Sequence, residues 1–220
     1  MRVRVNGESA ELEENATGFD VFPEREIIAM FLNGEQADLA RTLADGDELA
    51  PIAVDSVEGL QILRHSVAHI TAQAVQDLFE AKLGIGPPIE DGFYYDFLID
   101  TPLTEDDLTK IQKRMKEIVK ANQRFVRVSV TEDEARQQMA QEPLKLELLN
   151  KRNESLDEGN IEVDAGELTI YENVDPRSGE VKWKDLCRGP HVPNTRIADK
   201  GFALTRVSAA YWLVDQNNQS

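Results

Sequence analysis

The sequence of 220 residues contains few side chains that bind metals, form disulfides or carry positive charge. It has one cysteine and three histidines, and 24 basic side chains stand against 41 acidic ones. A single cysteine cannot form an internal disulfide, which predicts a reducing compartment, the cytoplasm. The net charge of −17 argues against binding nucleic acid through a broad basic surface.

Long apolar runs are also lacking. No stretch approaches the ~18–20 apolar residues that span a bilayer. The polar N-terminus, MRVRVNGESAEL, does not have the pattern of a secretory signal. The apolar share of 41% is ordinary for a globular protein, and the length allows one or two domains.

Two tight-turn signals divide the first 55 residues into short segments. Asn6-Gly7 and Asn33-Gly34 are dipeptides typical of β-hairpins. Strands are predicted at 1–6, 27–32 and 48–54, with a short helical turn at 16–22. This pattern predicts a small α+β, β-grasp-like module over residues 1–55.

Residues 56–220 predict a second, larger α+β domain, in which one long helix packs on an antiparallel sheet. Helices are predicted at 57–79, from 105 onward and at 132–141. Strands are predicted at 93–97, 125–130, 168–174, 181–186 and 202–207, and a last one begins at Tyr211. Residues 144–149 fit a helix or a strand equally well, and 150–166 predict a loop.

All of the imidazole and thiol in the chain lies in two pairs with the same spacing. In RHSVAHITAQAV, His65 and His69 are four residues apart and therefore share one face of the predicted helix. In DLCRGPHVP, Cys187 and His191 are also four apart, on a turn containing Gly-Pro. We interpret the four side chains as members of one pocket.

The residue types allow two kinds of chemistry. Three imidazoles and a thiolate from His65, His69, Cys187 and His191 suit a tetrahedral zinc site. Alternatively, the imidazoles bind and activate water without a metal. Composition does not separate the two, although the spacing differs from the usual structural zinc pattern and lacks the Glu of a metalloprotease H-E-x-x-H motif.

Several longer stretches carry a family resemblance. RHSVAHITAQAVQDLF, GIGPPIEDGFYYDF, LTIYENV, WKDLCRGPHVPNT and AYW occur in this order between residues 57 and 215. They resemble the N-terminal half of bacterial threonyl-tRNA synthetases, in an actinobacterial version, and residues 1–55 resemble the TGS module that precedes it. The two four-residue spacings are shared with editing domains of alanyl-tRNA synthetases, but DGFYYDF together with DLCRGPH points to the threonyl type.

The resemblance implies a proofreading domain, residues 56–220, that hydrolyses seryl-tRNA(Thr) by water attack on the aminoacyl ester. It further implies that the aminoacylation core and the anticodon-binding domain lie outside this chain, so ATP binding is not expected. Expected partners are the serine-charged acceptor end of tRNA(Thr), the remaining domains of the enzyme and, for the complete enzyme, a second copy. One departure is Leu213-Val214 after AYW, where many members have Arg-Gly; it removes a positive charge from an implied RNA contact.

The resemblance also assigns roles to individual residues. It implies that His65 and His69 hold or activate the attacking water, and that Lys145 stabilises the developing oxyanion or positions water. It places Tyr95, Asp185, Cys187 and His191 around the substrate. No cofactor is implied for editing; the alternatives are a zinc-binding site of the alanyl type at the quartet and a non-catalytic module that docks tRNA or protein.

Overall fold

The computed structural model describes residues 1–151 and 167–209, and within them the fold is mixed α+β, as predicted. The α-helices are α1 Gly18–Val21, α2 Val57–Leu78, α3 Glu105–Ala121, α4 Glu132–Gln138 and α5 Pro143–Lys151. The strands are β1 Arg2–Val5, β2 Glu8–Glu11, β3 Ile27–Leu32, β4 Glu35–Ala37, β5 Glu48–Ala53, β6 Ala81–Leu83, β7 Pro88–Ile89, β8 Gly92–Phe93, β9 Phe97–Ile99, β10 Arg124–Val130, β11 Leu168–Val174 and β12 Val181–Leu186. A 3₁₀ helix, Thr195–Lys200, follows β12.

The N-terminal module is one mixed sheet in the order β2-β1-β5-β3-β4. Its central pair β1–β5 is parallel and its other pairs are antiparallel. The two predicted hairpin turns are confirmed, since Asn6-Gly7 and Asn33-Gly34 both have positive φ at each position, as a two-residue turn of this kind requires. The assignment of this sheet to the β-grasp class stays a prediction.

The first module and the helix that follows it share a hydrophobic core. β5 leads directly into α2, and Ile28 and Ile52 of the module are buried in the same cluster as Ile62 and Ile70 of the helix. The predicted domain boundary at residue 55 therefore crosses a packed interface, and the division into two domains stays a prediction.

Helix α2 is the central element of the larger part of the fold. The Ser56 hydroxyl caps its start by accepting the backbone N–H of Gly59 at 3.0 Å. One side of the helix packs against α3, and the other faces the antiparallel sheet β10-β11-β12, where Asn173 donates to Gln73 at 2.7 Å. This confirms the predicted arrangement of a helix packed on an antiparallel sheet.

Several predicted elements differ from the structure in extent or type. The strand predicted at 93–97 is divided into β8 and β9, because residues 94–96 lie between two short antiparallel pairings. The strand predicted at 202–207 is wrong. Phe202 and Leu204 pack against the core, which explains the alternation of apolar and polar residues in this segment. No strand among the described residues pairs with it.

The remaining differences concern helix α5 and the segments outside the described residues. Residues 144–149, which the pattern left undecided, are part of α5. Of the loop predicted over 150–166, the first two residues belong to α5 instead, and residues 152–166 lie outside the described residues, as does the strand predicted at Tyr211. None of the described helices combines the length and the hydrophobicity that a membrane span requires.

Candidate functional site

Two elements bring the histidine pairs together. Helix α2 carries His65 and His69 one turn apart, and the end of β12 with the turn that follows it carries Cys187 and His191. Cys187 is anchored by a backbone hydrogen bond of 3.1 Å from its N–H to the carbonyl of Thr169 on β11. The candidate ligand atoms of the quartet all lie within 4.8 Å of one another, and all four residues are buried.

The distances within the quartet are short. The Cys187 Sγ lies 3.3 Å from His65 Nε2 and 3.5 Å from His191 Nε2. The rings of His65 and His69 meet edge-on, with their centroids 5.0 Å apart. The ring centroid of His191 lies 4.4 Å from that of His65 and 4.3 Å from that of His69. The two segments therefore form one site, as the spacing predicted.

The hydrogen bonds of His191 fix its tautomer. The Ser66 hydroxyl donates to the carbonyl of Ile62 at 2.8 Å, so its oxygen is left to accept hydrogen bonds. It accepts the N–H of Val192 and faces His191 Nδ1, both at 3.0 Å. His191 therefore carries its proton on Nδ1, and the lone pair of its Nε2 points toward Cys187.

A glycine is required where this turn closes. Gly189 has φ +73°, and a Cβ on it would lie 1.9 Å from the hydroxyl oxygen of Tyr171. Its N–H also donates to the Cys187 sulfur at 3.2 Å. A side chain at this position would thus displace Tyr171 and move the thiol.

A buried ion pair lies beside the quartet. Lys145 on α5 and Asp185 on β12 are fully buried, and Lys145 Nζ is 3.0 Å from Asp185 Oδ1. The Tyr95 hydroxyl donates to Asp185 Oδ2 at 2.6 Å, and the ammonium lies 5.8 Å from the centre of the Tyr95 ring. Tyr95 is half-buried, so it marks the side on which this cluster reaches the surface.

His69 is the link between the two clusters. Its Nε2 lies 3.8 Å from Asp185 Oδ2, and neither ring nitrogen makes a hydrogen bond within the described residues. A fully buried imidazole without hydrogen bonds is costly, because its polar atoms have lost water and gained no partner. This ring is therefore the best placed to bind a water molecule or a substrate atom.

Burial keeps the imidazoles neutral. Burial first, and the charge of Lys145 second, lower the pKa of His65 to about 4. The same causes, together with the neighbouring histidines, lower the pKa of His69 well below its usual range, and burial does the same for His191. Burial raises the pKa of Asp185, against the opposing effect of Lys145 and Tyr95.

These shifts predict acid sensitivity. The histidines bind protons at a higher pH in the unfolded chain than in the folded chain. The free energy of unfolding therefore falls as the pH drops from 6.5 toward about 4. His65 alone contributes roughly 3 kcal/mol to this loss, and the raised pKa of Asp185 opposes it. Urea unfolding in metal-free buffer at several pH values measures the slope.

The matched variant for this measurement is His65→Gln, which keeps a polar side chain but does not titrate. Only the slopes of the free energy of unfolding against pH are compared, because the substitution also changes the absolute stability. A shallower pH dependence than in the unsubstituted chain is expected, and an unchanged slope would contradict a buried neutral His65.

The donor set of the quartet fits zinc. Four ligands at the usual zinc bond lengths lie ~3.3–3.8 Å apart, so the present spacing needs only a small inward movement. The ring of His191 is oriented by its hydrogen bond with Ser66, as metal-bound imidazoles commonly are by a neighbouring polar group. The same atoms can also form hydrogen bonds to water, so the geometry fits both a zinc site and a metal-free site that binds water.

The structure places all seven predicted site residues in one region. His65, His69, Cys187 and His191 form the quartet, and Lys145, Asp185 and Tyr95 form the adjacent cluster. Three residues that orient His191 were not predicted from the sequence: Ser66, Tyr171 and Asp38. Ser66 could have been found from the sequence, because it lies next to His65 in the motif RHSVAHITAQAV. Nothing in the residues around Asp38 indicates a role in the site.

The chain was compared with known proteins. No protein-family model matches it. It is 54% identical over 220 residues to a threonine–tRNA ligase of Paenarthrobacter aurescens, a match that covers 98% of this chain and 33% of the relative. Similar ligases of Thermobifida fusca and Streptomyces avermitilis are 57% and 53% identical over 198 and 206 residues, covering 88% and 92% of this chain. The chain therefore spans about a third of the length of the relatives that it matches.

Proposed function

Because the chain belongs to the threonine–tRNA ligase family, of whose members it spans about a third, we propose that it hydrolyses serine from mischarged tRNA(Thr). The single observation that carries this proposal is the buried cluster of His69, Lys145 and Asp185 beside the quartet. It combines a base without a hydrogen-bond partner, a cation and an anion in one site that is shielded from bulk solvent.

The chemistry of the amino acids explains why such a site is useful. Serine is threonine without one methyl group, and a pocket that fits threonine rejects a smaller residue by only about 1–3 kcal/mol. A second pocket too small for threonine can bind the serine ester and cleave it. The close packing around Cys187 and the imidazoles is suited to such exclusion by size.

The proposed reaction begins with the water molecule. His69, neutral at physiological pH, accepts a proton from water as the oxygen attacks the ester carbonyl. Asp185, 3.8 Å from the His69 ring, stabilises the imidazolium that forms. The carbonyl oxygen becomes an oxyanion, for which Lys145 is the nearby positive charge.

The intermediate then breaks down. The bond between the carbonyl carbon and the ribose oxygen breaks, and the imidazolium returns its proton to the leaving ribose hydroxyl. Serine and uncharged tRNA are the products, so atoms and charge balance. His65, Cys187 and His191 form the wall on the far side of the attacking water, and Tyr95 lies at the entrance.

Zinc at the quartet is the second candidate, favoured by the spacing and the donor set. His65, His69, Cys187 and His191 would hold the ion, which would supply a Lewis acid and lower the pKa of a bound water molecule. Metal analysis of protein purified without added zinc distinguishes the candidates. One zinc per chain, with hydrolysis lost on chelation, would favour the second.

The test of the proposal compares two esters on one tRNA. We expect this chain, or a threonine–tRNA ligase containing it, to release serine from seryl-tRNA(Thr) ~10–200-fold faster than threonine from threonyl-tRNA(Thr), the range that one methyl group allows. Release of labelled amino acid is measured with and without a chelator. Equal release of both amino acids, at the rate in buffer alone, would overturn the proposal.

A further inference from the structure

A carboxylate from the N-terminal module reaches into the site. Asp38, which directly follows β4, accepts a hydrogen bond from the Tyr171 hydroxyl at 2.7 Å and another from the His191 backbone N–H at 2.9 Å. These partners lie 133 and 153 residues away in the chain. Each carboxylate oxygen of Asp38 therefore accepts a hydrogen bond from a residue that lies outside the N-terminal module.

This use distinguishes Asp38 from comparable residues of the module. Asp47 also accepts two hydrogen bonds, from the Asn33 side chain at 2.8 Å and the Ala44 N–H at 2.7 Å, but both partners belong to the same module. Asp47 stabilises its own turn, whereas Asp38 holds a part of the fold that contains the quartet.

The groups that Asp38 holds determine the position of the His191 ring. Phe125 stacks on this ring at 4.8 Å with an interplanar angle of 9°, and Tyr171 packs against it edge-on at 4.5 Å. Burial raises the pKa of Tyr171 well above its usual value, so the phenol keeps its proton and donates to Asp38. Asp38 thus fixes both the backbone of His191 and one of the rings that enclose it.

We propose that Asp38 is a positioning residue of the hydrolytic site, and that the N-terminal module is thereby a component of that site. Through His191 the carboxylate maintains the orientation of the Nε2 lone pair toward Cys187, 3.5 Å away. The inference rests on the proposed function only for its effect on hydrolysis, since the orientation of His191 can be measured independently.

The first measurement is nuclear magnetic resonance of the imidazole rings, which is tractable because the chain has three histidines. The ring nitrogen shifts of His191 in the 220-residue chain report the Nδ1–H tautomer that Ser66 imposes. Asp38→Ala is expected to produce a mixture of tautomers. Asp47→Ala, the matched control, is expected to leave the His191 signals unchanged even where it lowers stability.

The second measurement is hydrolysis of seryl-tRNA(Thr). Asp38→Ala is expected to lower kcat by ~10–100-fold with KM nearly unchanged. His191 belongs to the wall behind the attacking water, and a small misplacement of that water costs rate rather than binding. Asp38→Asn is expected to retain activity within about threefold, since its amide oxygen can accept from His191 and its N–H can donate to the phenol oxygen. Asp47→Ala should keep the unsubstituted kcat.

The outcomes separate the two proposals. Unchanged His191 signals in Asp38→Ala, with a kcat equal to that of Asp47→Ala, would overturn the positioning role. Absence of hydrolysis in the unsubstituted protein would overturn the proposed function, while the ring signals still decide the role of Asp38.

If Asp38→Ala does not fold, Tyr171→Phe replaces it, because this substitution removes one of the two hydrogen bonds to Asp38 and keeps the aromatic ring. A smaller loss of kcat is then expected, and an unchanged kcat would contradict the proposal.

Discussion

Replacing His69 with alanine is expected to lower the rate of seryl-tRNA(Thr) hydrolysis by ~10²–10⁴-fold, the usual contribution of a general base. His69 is fully buried, lies 3.8 Å from Asp185 and has no hydrogen bond at either ring nitrogen within the described residues. It is the imidazole of the quartet that lies next to the buried ion pair. Single-turnover release of labelled serine measures the effect on the chemical step.

Two further variants make the result specific. His69→Gln fills most of the space of the ring and can hold water, but it does not accept a proton, so it is expected to be nearly as slow as His69→Ala. Gln73→Ala is the matched control, because Gln73 is a buried polar residue one turn further along α2 whose partner is Asn173. It should lower stability without affecting hydrolysis. An active His69→Gln would remove proton transfer by His69 from the mechanism and leave only a role in holding water.

Replacing Lys145 with alanine is expected to lower the free energy of unfolding by about 3–5 kcal/mol, as breaking a buried ion pair does. Both side chains of the pair are fully buried, so the substitution leaves the Asp185 carboxylate charged and without its cation. The remaining hydrogen bond from Tyr95 does not replace a full positive charge. Urea unfolding at neutral pH gives the magnitude.

A double-mutant cycle tests the cause of this loss. Adding Asp185→Asn to Lys145→Ala removes the unpaired charge and is expected to restore a large part of the stability, but not the rate of hydrolysis, because Lys145 is still missing from the reaction. Strictly additive losses would show that the pair does not act as a unit.

Helix α5 supplies a matched control for this cycle. Lys151 pairs with Glu147 at 3.1 Å, and both side chains are about 40% exposed. Exposed pairs contribute only about 0–1 kcal/mol. Lys151→Ala should therefore change stability little, and a loss as large as that of Lys145→Ala would contradict the distinction between the two lysines.

Elements with a strong local signal were predicted correctly. Helix α3 begins at Glu105, as predicted, and the Asp107 carboxylate caps it by accepting both the N–H and the hydroxyl of Thr104. Strands β11 and β12 have the predicted bounds because apolar alternation and flanking turns define them. The predicted strand at 202–207 is wrong because alternation reports contact with a core, whereas a strand also needs a neighbour.

The candidate site was predictable to the extent that its residue types are rare in this chain. His65, His69, Cys187 and His191 were identifiable by scarcity and spacing, and the structure brings them together. Asp38 was not identifiable, because it is one of 41 acidic residues and its partners are more than a hundred positions away. Its role depends on how the N-terminal module packs against the rest of the chain.

The sequence by itself determined the fold class, the elements with clear periodicity and the membership of the histidine pairs in one pocket. These depend on interactions over a few residues, and here on the scarcity of imidazole and thiol. The tertiary structure alone decided that Lys145 and Asp185 are a fully buried ion pair, that Ser66 sets the tautomer of His191, and that Asp38 supports the site from another module. The physical reason is that burial and hydrogen bonding between distant segments arise from packing, which a local pattern does not encode.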